Sequence, residues 1–285
     1  MRALIEKLFR ERDVPPTHEE IVRLANPLVF PFQPRADGGA ADWGVPGNYQ
    51  GLCTVCGNTC EFARFSENLR ESGFCSVCGS SNRQRQLGRA LRMVYGMPAN
   101  GPLAFRTDFV TYNTETTGAM HQVLSLTGRY VCSEYFGPEL RPGQDVDGRR
   151  HEDLQQLTFA DDSVDLVLTS DVLEHMPAPY VAHGEIYRIL RPGGRHVFTV
   201  PFDPGDPLDD VRAQLVDGEI CYLADKQYHG DPVRPEEGIL VWTIFGIEML
   251  VRLARIGFRV RAWNFCEPEH GIVGPYSIVF EAAKP

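Results

Sequence analysis

The sequence predicts an α/β protein that carries a small cysteine-rich module ahead of its sheet. Two observations predict it. From about residue 103, short apolar β-type runs alternate with helix-type stretches, the pattern of strands joined by helical crossovers. Before them, Cys53-Thr-Val-Cys56 and Cys75-Ser-Val-Cys78 form two Cys-x-x-Cys knuckles separated by eighteen residues. That spacing suits four thiolates around one structural metal ion. The expected division is residues 1–100 for N-terminal helices and the cysteine module, and 101–285 for the α/β unit.

The elements follow in order. Residues 1–25 open with MRALIEKLFRERD, a charged amphipathic stretch without the long apolar core of a secretory leader, and are expected to form one or two short helices. Residues 26–50 are rich in Pro and Gly and read as a loop wrapping the next unit. "SSNRQRQLGRALRMVYG" reads as a helix, capped by Ser81 or Asn82, striped by Leu87, Leu91 and Val94, and stopped at Gly96. "FVTYN", "RYVCSEY", "SVDLVLTS" and "RHVFTVPF" read as strands, with "AMHQVLSL" and "PYVAHGEIYRIL" as intervening helices. A helix at about 246–256 places Ile247, Leu250, Val251 and Ala254 on one face. "FRVRAWNF" and "YSIVFEAA" are expected as antiparallel neighbours at one sheet edge.

Charge narrows the partners. The chain has a net charge of −10, and the acidic excess lies in the α/β unit. There are twelve basic against ten acidic residues in the first hundred, then sixteen against twenty-eight. An acidic body argues against a nucleic-acid surface. No apolar run is long enough to span a membrane. A cytoplasmic setting is expected, where thiols stay reduced and paired knuckles favour metal over disulfides.

Two segments carry the chemistry: "DLQQLTFADDSVDLVLTSDVLEHMP" (153–177) and "EIYRILRPGGRHVFTVP" (185–201). Together they resemble the motifs of class I S-adenosylmethionine (SAM)-dependent methyltransferases, in the group called type 11, over roughly residues 103–285. The resemblance implies a Rossmann-like sheet of seven strands, with SAM across the carboxyl ends of the first strands. It assigns Glu134, ending the second strand, to the ribose hydroxyls. Asp153 takes the adenine amino group, with the Leu154 amide on a ring nitrogen. Ser170 and Asp171 reach the crevice beside the methionine end, although a salt-bridged or capping Asp171 fits the sequence nearly as well. The first loop departs from the family's Gly-rich pattern: "TYNTETTGAM" offers only Gly118. Asn113, Thr114 and Glu115 are expected to shape a different cofactor loop, with Glu115 near the methionine ammonium.

The knuckle cysteines Cys53, Cys56, Cys75 and Cys78 read as a closed zinc ribbon. Cys60 is a poorer substitute, and Cys132, Cys221 and Cys266 are expected in the core or half-buried. Phe62, Phe65 and Phe74 would be the ribbon's small core. Arg85, Arg89 and Arg92 would form a solvated face, or a grip for a phosphate or carboxylate. Such modules either hold RNA or close over a nucleotide-sugar beside a methyltransferase, and the spacing leaves both open. The acidic, Pro/Gly-rich insertion at about 203–240 is placed as a substrate lid and matches RNA poorly. His229 in "QYHGDP" and His175 in "EHMP" are the candidate bases for an acceptor hydroxyl; His175 could equally be a structural helix-start residue. The expected partner is a small polar acceptor such as a sugar or secondary metabolite. An RNA or protein methyltransferase and a non-catalytic SAM-fold binding protein are the rivals. Neither the methylated atom nor the oligomeric state is encoded in any motif.

Overall fold

The long apolar runs of the second half form the strands of one mixed sheet, and the cysteine module packs onto one face of it. The structure is a computed structural model that describes residues 44–230, 236, 238–274 and 278–285. The helices expected over 1–25 and residues 26–43 of the loop expected over 26–50 lie outside the described residues; the end of that stretch, Tyr49 and Gln50, is not loop but the start of a strand.

The module is a three-stranded antiparallel sheet, β1 (Tyr49–Leu52), β2 (Thr59–Ala63) and β3 (Phe74–Cys75), in that order. Each knuckle turns at a glycine whose amide bonds back to the first cysteine's carbonyl: Gly57 to Cys53 at 2.8 Å, Gly79 to Cys75 at 2.9 Å. Gly57 has φ +67°, and a Cβ there would lie 1.8 Å from the Gly101 oxygen, so the turn admits only glycine. Phe62 is fully buried beneath Tyr49, which stacks on Phe65 at 5.6 Å, so the aromatics make the module's core.

Helix α1 (Asn82–Tyr95) follows. Ser81 caps it with a full capping box, its hydroxyl accepting the Gln84 amide while Gln84 accepts the Ser81 amide, and Gly96 ends it in the left-handed region. Its arginines overturn the expected solvated face. Arg85 is fully buried, Arg92 is 3% exposed and Arg89 is half-buried. Arg85 donates to the carbonyls of Gly73, Ser80 and Gly271. Arg92 donates to those of Thr54, Pro98 and Gly101, and Arg89 pairs with Glu267 at 2.6 Å. The arginine spacing correctly predicts a shared side of the helix. Arg85 and Arg92 on that side serve backbone carbonyls that need donors, and Arg89 serves the Glu267 carboxylate.

The main sheet holds β4 (Val110–Asn113), β5 (Arg129–Cys132), β6 (Val164–Ser170), β7 (Leu190–Thr199), β8 (Arg259–Asn264) and β9 (Ile278–Ala283). Its order is β8-β9-β7-β6-β4-β5. The pairs among β5, β4, β6 and β7 are parallel, while β9 runs antiparallel to both β7 and β8. This is the Rossmann-like α/β arrangement, with six continuous strands among the described residues. The seventh position, beyond β5, holds a single parallel bridge between Glu134 and His151.

Helices cover both faces. Alternation along each strand assigns the side chains: Val167, Ile278, Phe280 and Ala282 join the cluster under α3 (Pro179–Ile189) and α4 (Glu248–Ile256). Leu166, Leu168 and Val279 join the cluster under α1 and α2 (Gly118–Leu124), and Val55 and Phe62 of the cysteine module belong to that same cluster. On α4 Ala254 is exposed, contrary to the expected stripe, and Leu253 is buried in its place.

After β7 the insertion folds back over the carboxyl ends of the strands. Ala213–Val216 and Glu219–Tyr222 form a hairpin closed by Asp217 and Gly218, both with positive φ, the conformation that matches strand twist in two-residue turns. Cys221 is exposed on this hairpin, contrary to the expected burial, whereas Cys132 and Cys266 are half-buried. Further on, Tyr228–His229 pairs with Ile239–Leu240 and brings His229 back to the sheet.

Candidate active site

The order of the strands reverses beside β4, which has β5 on one side and β6 on the other. In open α/β sheets the crevice at such a point is where ligands bind. Asn113 ends β4, and its buried amide donates to the Glu115 carbonyl at 3.2 Å and the Tyr130 hydroxyl at 2.9 Å. Thr114 is tied to the Leu168 carbonyl by its amide at 3.2 Å and its hydroxyl at 3.3 Å. These bonds hold the Gly-poor loop in shape. Gly118 starts α2 with φ +83°, and a Cβ there would lie 3.1 Å from the Gln84 amide nitrogen, so the start of α1 sits directly over the loop.

Glu134 accepts both the Thr116 amide at 3.1 Å and the Thr116 hydroxyl at 2.9 Å. Glu115 faces the same crevice among like charges. Burial pushes its carboxyl up to about 7, opposed by Arg83 and reinforced by Glu134 and Asp171. Asp153 lies farther along the same rim, past the bridge beyond β5, and accepts the Gln155 amide at 2.9 Å; Leu154 beside it is buried.

The cysteine module enters the crevice through two arginines that sequence reasoning missed. Arg70 grips the Asp171 carboxylate with both terminal nitrogens, one at 2.7 Å. Arg83, in the first turn of α1, donates to the Ser170 hydroxyl and makes a two-bond fork with Glu71 at 2.6 and 2.9 Å. Asp171 also accepts the Thr199 hydroxyl at 2.9 Å and adopts φ +51°. Burial alone would raise its pKa, but Arg70 and Arg83 hold it below the usual carboxylate range. Asp171 is thus salt-bridged in this structure. A helical stripe reveals neighbours three or four residues away. Arg70 and Asp171 are 101 residues apart, so no local pattern exposes the pair.

His175 and His229, rival bases in the sequence, stand side by side. His229 Nδ1 lies 3.3 Å from His175 Nε2, with the rings nearly perpendicular. The Leu240 carbonyl lies 2.8 Å from His175 Nδ1 and can only accept, so that nitrogen carries the proton and Nε2 points at His229. Glu174, also missed, completes the cluster. It is fully buried, and neither carboxylate oxygen has a hydrogen-bond partner. Its Oε1 lies 3.6 Å from His175 Nε2 and 3.8 Å from His229 Nδ1. Burial raises the Glu174 pKa well above the usual range and lowers that of His229. His229, Asp171, Arg70 and Phe202 line a cleft of about 290 Å³ between the lid and the sheet.

The four knuckle sulfurs converge, all within 4.8 Å of one another. Cys53 and Cys78 are 3.7 Å apart, and Cys56 and Cys75 are 4.0 Å apart. A tetrahedron with zinc–sulfur bonds of about 2.3 Å has edges of about 3.8 Å, so the donor set fits zinc. The Val77 and Cys78 amides point at the Cys75 sulfur at 3.4 and 3.5 Å, as suits a thiolate. Cys60 is buried outside this group.

Comparison with known proteins follows from the part of the chain that builds this crevice. The chain is 33% identical over 96 residues to an uncharacterized methyltransferase of Mycobacterium marinum, covering 33% of this chain and 38% of that protein. It is 31% identical over 114 residues to one of Mycobacterium avium, covering 39% and 45%. The chain thus spans less than half the length of these curated relatives. Among solved structures, a SAM-dependent methyltransferase from Mesorhizobium loti aligns with TM-score 0.41 and 16% identity over 69% of this chain and 99% of that one. The 1,6-didemethyltoxoflavin-N1-methyltransferase of Burkholderia thailandensis aligns with TM-score 0.42 and 17% identity over 71% and 78%. Residues 116–198, which contain Glu134, Asp153, Ser170, Asp171, Glu174 and His175, match the family profile described as a methyltransferase domain.

Proposed function

We propose that the chain is a SAM-dependent methyltransferase acting on a small polar acceptor such as a sugar or secondary metabolite, with a structural zinc ion in the Cys53–Cys78 module. One observation carries the reading. Within the matched segment, Glu134 follows β5 at the carboxyl end beside the strand-order reversal, where a strand-end carboxylate binds a ribose diol in such sheets, and Thr116 holds one of its oxygens in place.

The chain's residues suit the whole cofactor. Glu134 would hold the ribose and Asp153 the adenine amino group, with the Leu154 amide on the ring. Glu115 would face the methionine ammonium, and Arg83 with Ser170 its carboxylate, above the loop of Asn113, Thr114 and Gly118. Bound SAM supplies a methyl group already activated on a sulfonium. The protein's task is then alignment, and removal of the acceptor's proton where the acceptor is a hydroxyl. His229, which lines the cleft, and His175 beside it are the acceptor-side groups. Asp171 serves as the anchor for Arg70 and thereby shapes the cleft floor. The acidic body and lid support a small acceptor over a polyanionic one.

Calorimetric titration with SAM tests the reading. Micromolar or tighter binding is expected, and Glu134→Ala should weaken it by about 1–3 kcal/mol. Absence of binding by the wild-type chain, or unchanged affinity in Glu134→Ala, would refute the proposed cofactor site.

A further inference from the structure

Glu174 poses a problem that the methyltransferase reading does not solve. A fully buried carboxyl with both oxygens unpartnered costs several kcal/mol in the absence of a compensating group. Its Oε1 is one corner of a small triangle with His175 Nε2 and His229 Nδ1, whose sides are 3.3, 3.6 and 3.8 Å. A point equidistant from those three atoms lies about 2.1 Å from each, the length of a zinc–imidazole or zinc–carboxylate bond. We propose that Glu174, His175 and His229 form a second metal site, separate from the cysteine site, that binds a first-row divalent cation such as Zn2+ or Fe2+.

Three further features favour this. Two imidazoles and one carboxylate with remaining positions open are a donor set that such cations select over Mg2+ or Ca2+. Metal-binding histidines are oriented by a hydrogen bond from the opposite ring nitrogen, and His175 Nδ1 is fixed in that way on the Leu240 carbonyl. An entry path exists as well, because His229 is 34% exposed on the cleft that Asp171 and Phe202 also line. Leu240 and His229 both belong to the lid, whereas Glu174 and His175 follow β6. The cation would therefore fasten the lid to the sheet.

The role of the cation rests on the methyl-transfer reading. Glu174, His175 and His229 would hold the cation, and the cation would supply Lewis acidity that lowers the pKa of an acceptor hydroxyl. With both facing imidazole nitrogens then on the metal, the hydroxyl proton would pass to water, and methyl transfer to the oxygen would leave the carbon–sulfur electron pair on sulfur.

The test needs neither SAM nor acceptor, so it fails or succeeds independently of the cofactor titration. The full chain, freed of loosely held metal by a mild chelator, is titrated with Co2+ and followed by its visible spectrum and by calorimetry. The expected result is one equivalent showing weak ligand-field bands without thiolate charge transfer, in addition to any intense thiolate-type band from the cysteine site. Glu174→Gln and His229→Ala should each lose the first equivalent and keep the second type. Cys75→Ser should do the reverse. His229→Ala alters a lid residue outside the core, so it reports even if Glu174→Gln disturbs folding. The proposal is overturned if the wild type shows no thiolate-free equivalent, or if His229→Ala retains it.

Discussion

At the scale of single residues, the crevice combines groups that ionise against their surroundings. Glu115 is the clearest. Its carboxyl is raised to about 7 by burial, so it is mostly neutral at pH 6 and mostly charged at pH 8. With Glu115 facing the SAM ammonium as proposed, the charged form binds better, so SAM affinity should rise with pH across that window. Glu115→Gln should flatten the profile and lower affinity at pH 8 by roughly tenfold or more, read by calorimetry at several pH values. On the acceptor side, His229→Ala should reduce methyl transfer by roughly two to four orders of magnitude while leaving SAM affinity nearly constant; equal losses in both would move His229 to the cofactor side. The resemblance to methyltransferase motifs put Glu134, Asp153 and Asp171 forward as site residues, and the structure sets Glu134 and Asp171 at or just after strand ends. It did not show Arg70, Arg83 or Glu174. Their importance comes from partners brought in by the fold, and the unpartnered state of Glu174 is visible only in three dimensions.

Among the elements, strands were legible where apolar runs were long and buried on both faces. They were not where two-residue ladders depend on partners far along the chain, as for Asp210 with Ile244. The pairing of α3 with β7 carries its own consequence. His183 and His196 are fully buried between them, with rings 5.5 Å apart, and neither His183 nitrogen has a partner. Burial lowers His183 to about 3 and His196 well below its ordinary value. Unfolded, both take up protons near pH 6.5; folded, they stay neutral. Their contribution to stability is therefore present above pH 6.5 and is lost as pH falls. From pH 7 to 5.5 the pair should cost about 2–3 kcal/mol. Urea unfolding should show about half that histidine-linked loss in His183→Phe, and an identical pH slope in the variant would refute this account.

For the whole molecule, the cysteine module is part of the sheet's hydrophobic core, and the expected boundary near residue 100 falls within a shared cluster. Knuckle spacing made the convergence of the four thiols legible, but nothing in it showed that buried arginines would tie the module down. Cys75→Ser should release about one zinc ion per chain, measured by elemental analysis. Because Arg70 and Arg83 leave the module for the crevice, the same change should also weaken SAM binding. Intact SAM affinity after complete zinc loss would show the two regions to be independent.

The contacts of α1 with the far end of the chain also govern how the molecule is made on the ribosome. Asn82 donates to the Val273 carbonyl, 191 residues later, and Arg85 to that of Gly271, 186 residues later. At synthesis rates of roughly 5–20 residues per second, these acceptors emerge about 10–40 s after the arginine and asparagine that need them. The four knuckle cysteines are all synthesised once Cys78 has left the exit tunnel, but these two bonds of α1 must wait. During that interval the buried guanidiniums of the finished protein are solvated. The face of α1 that meets the end of the chain therefore stays wet until the last strands arrive.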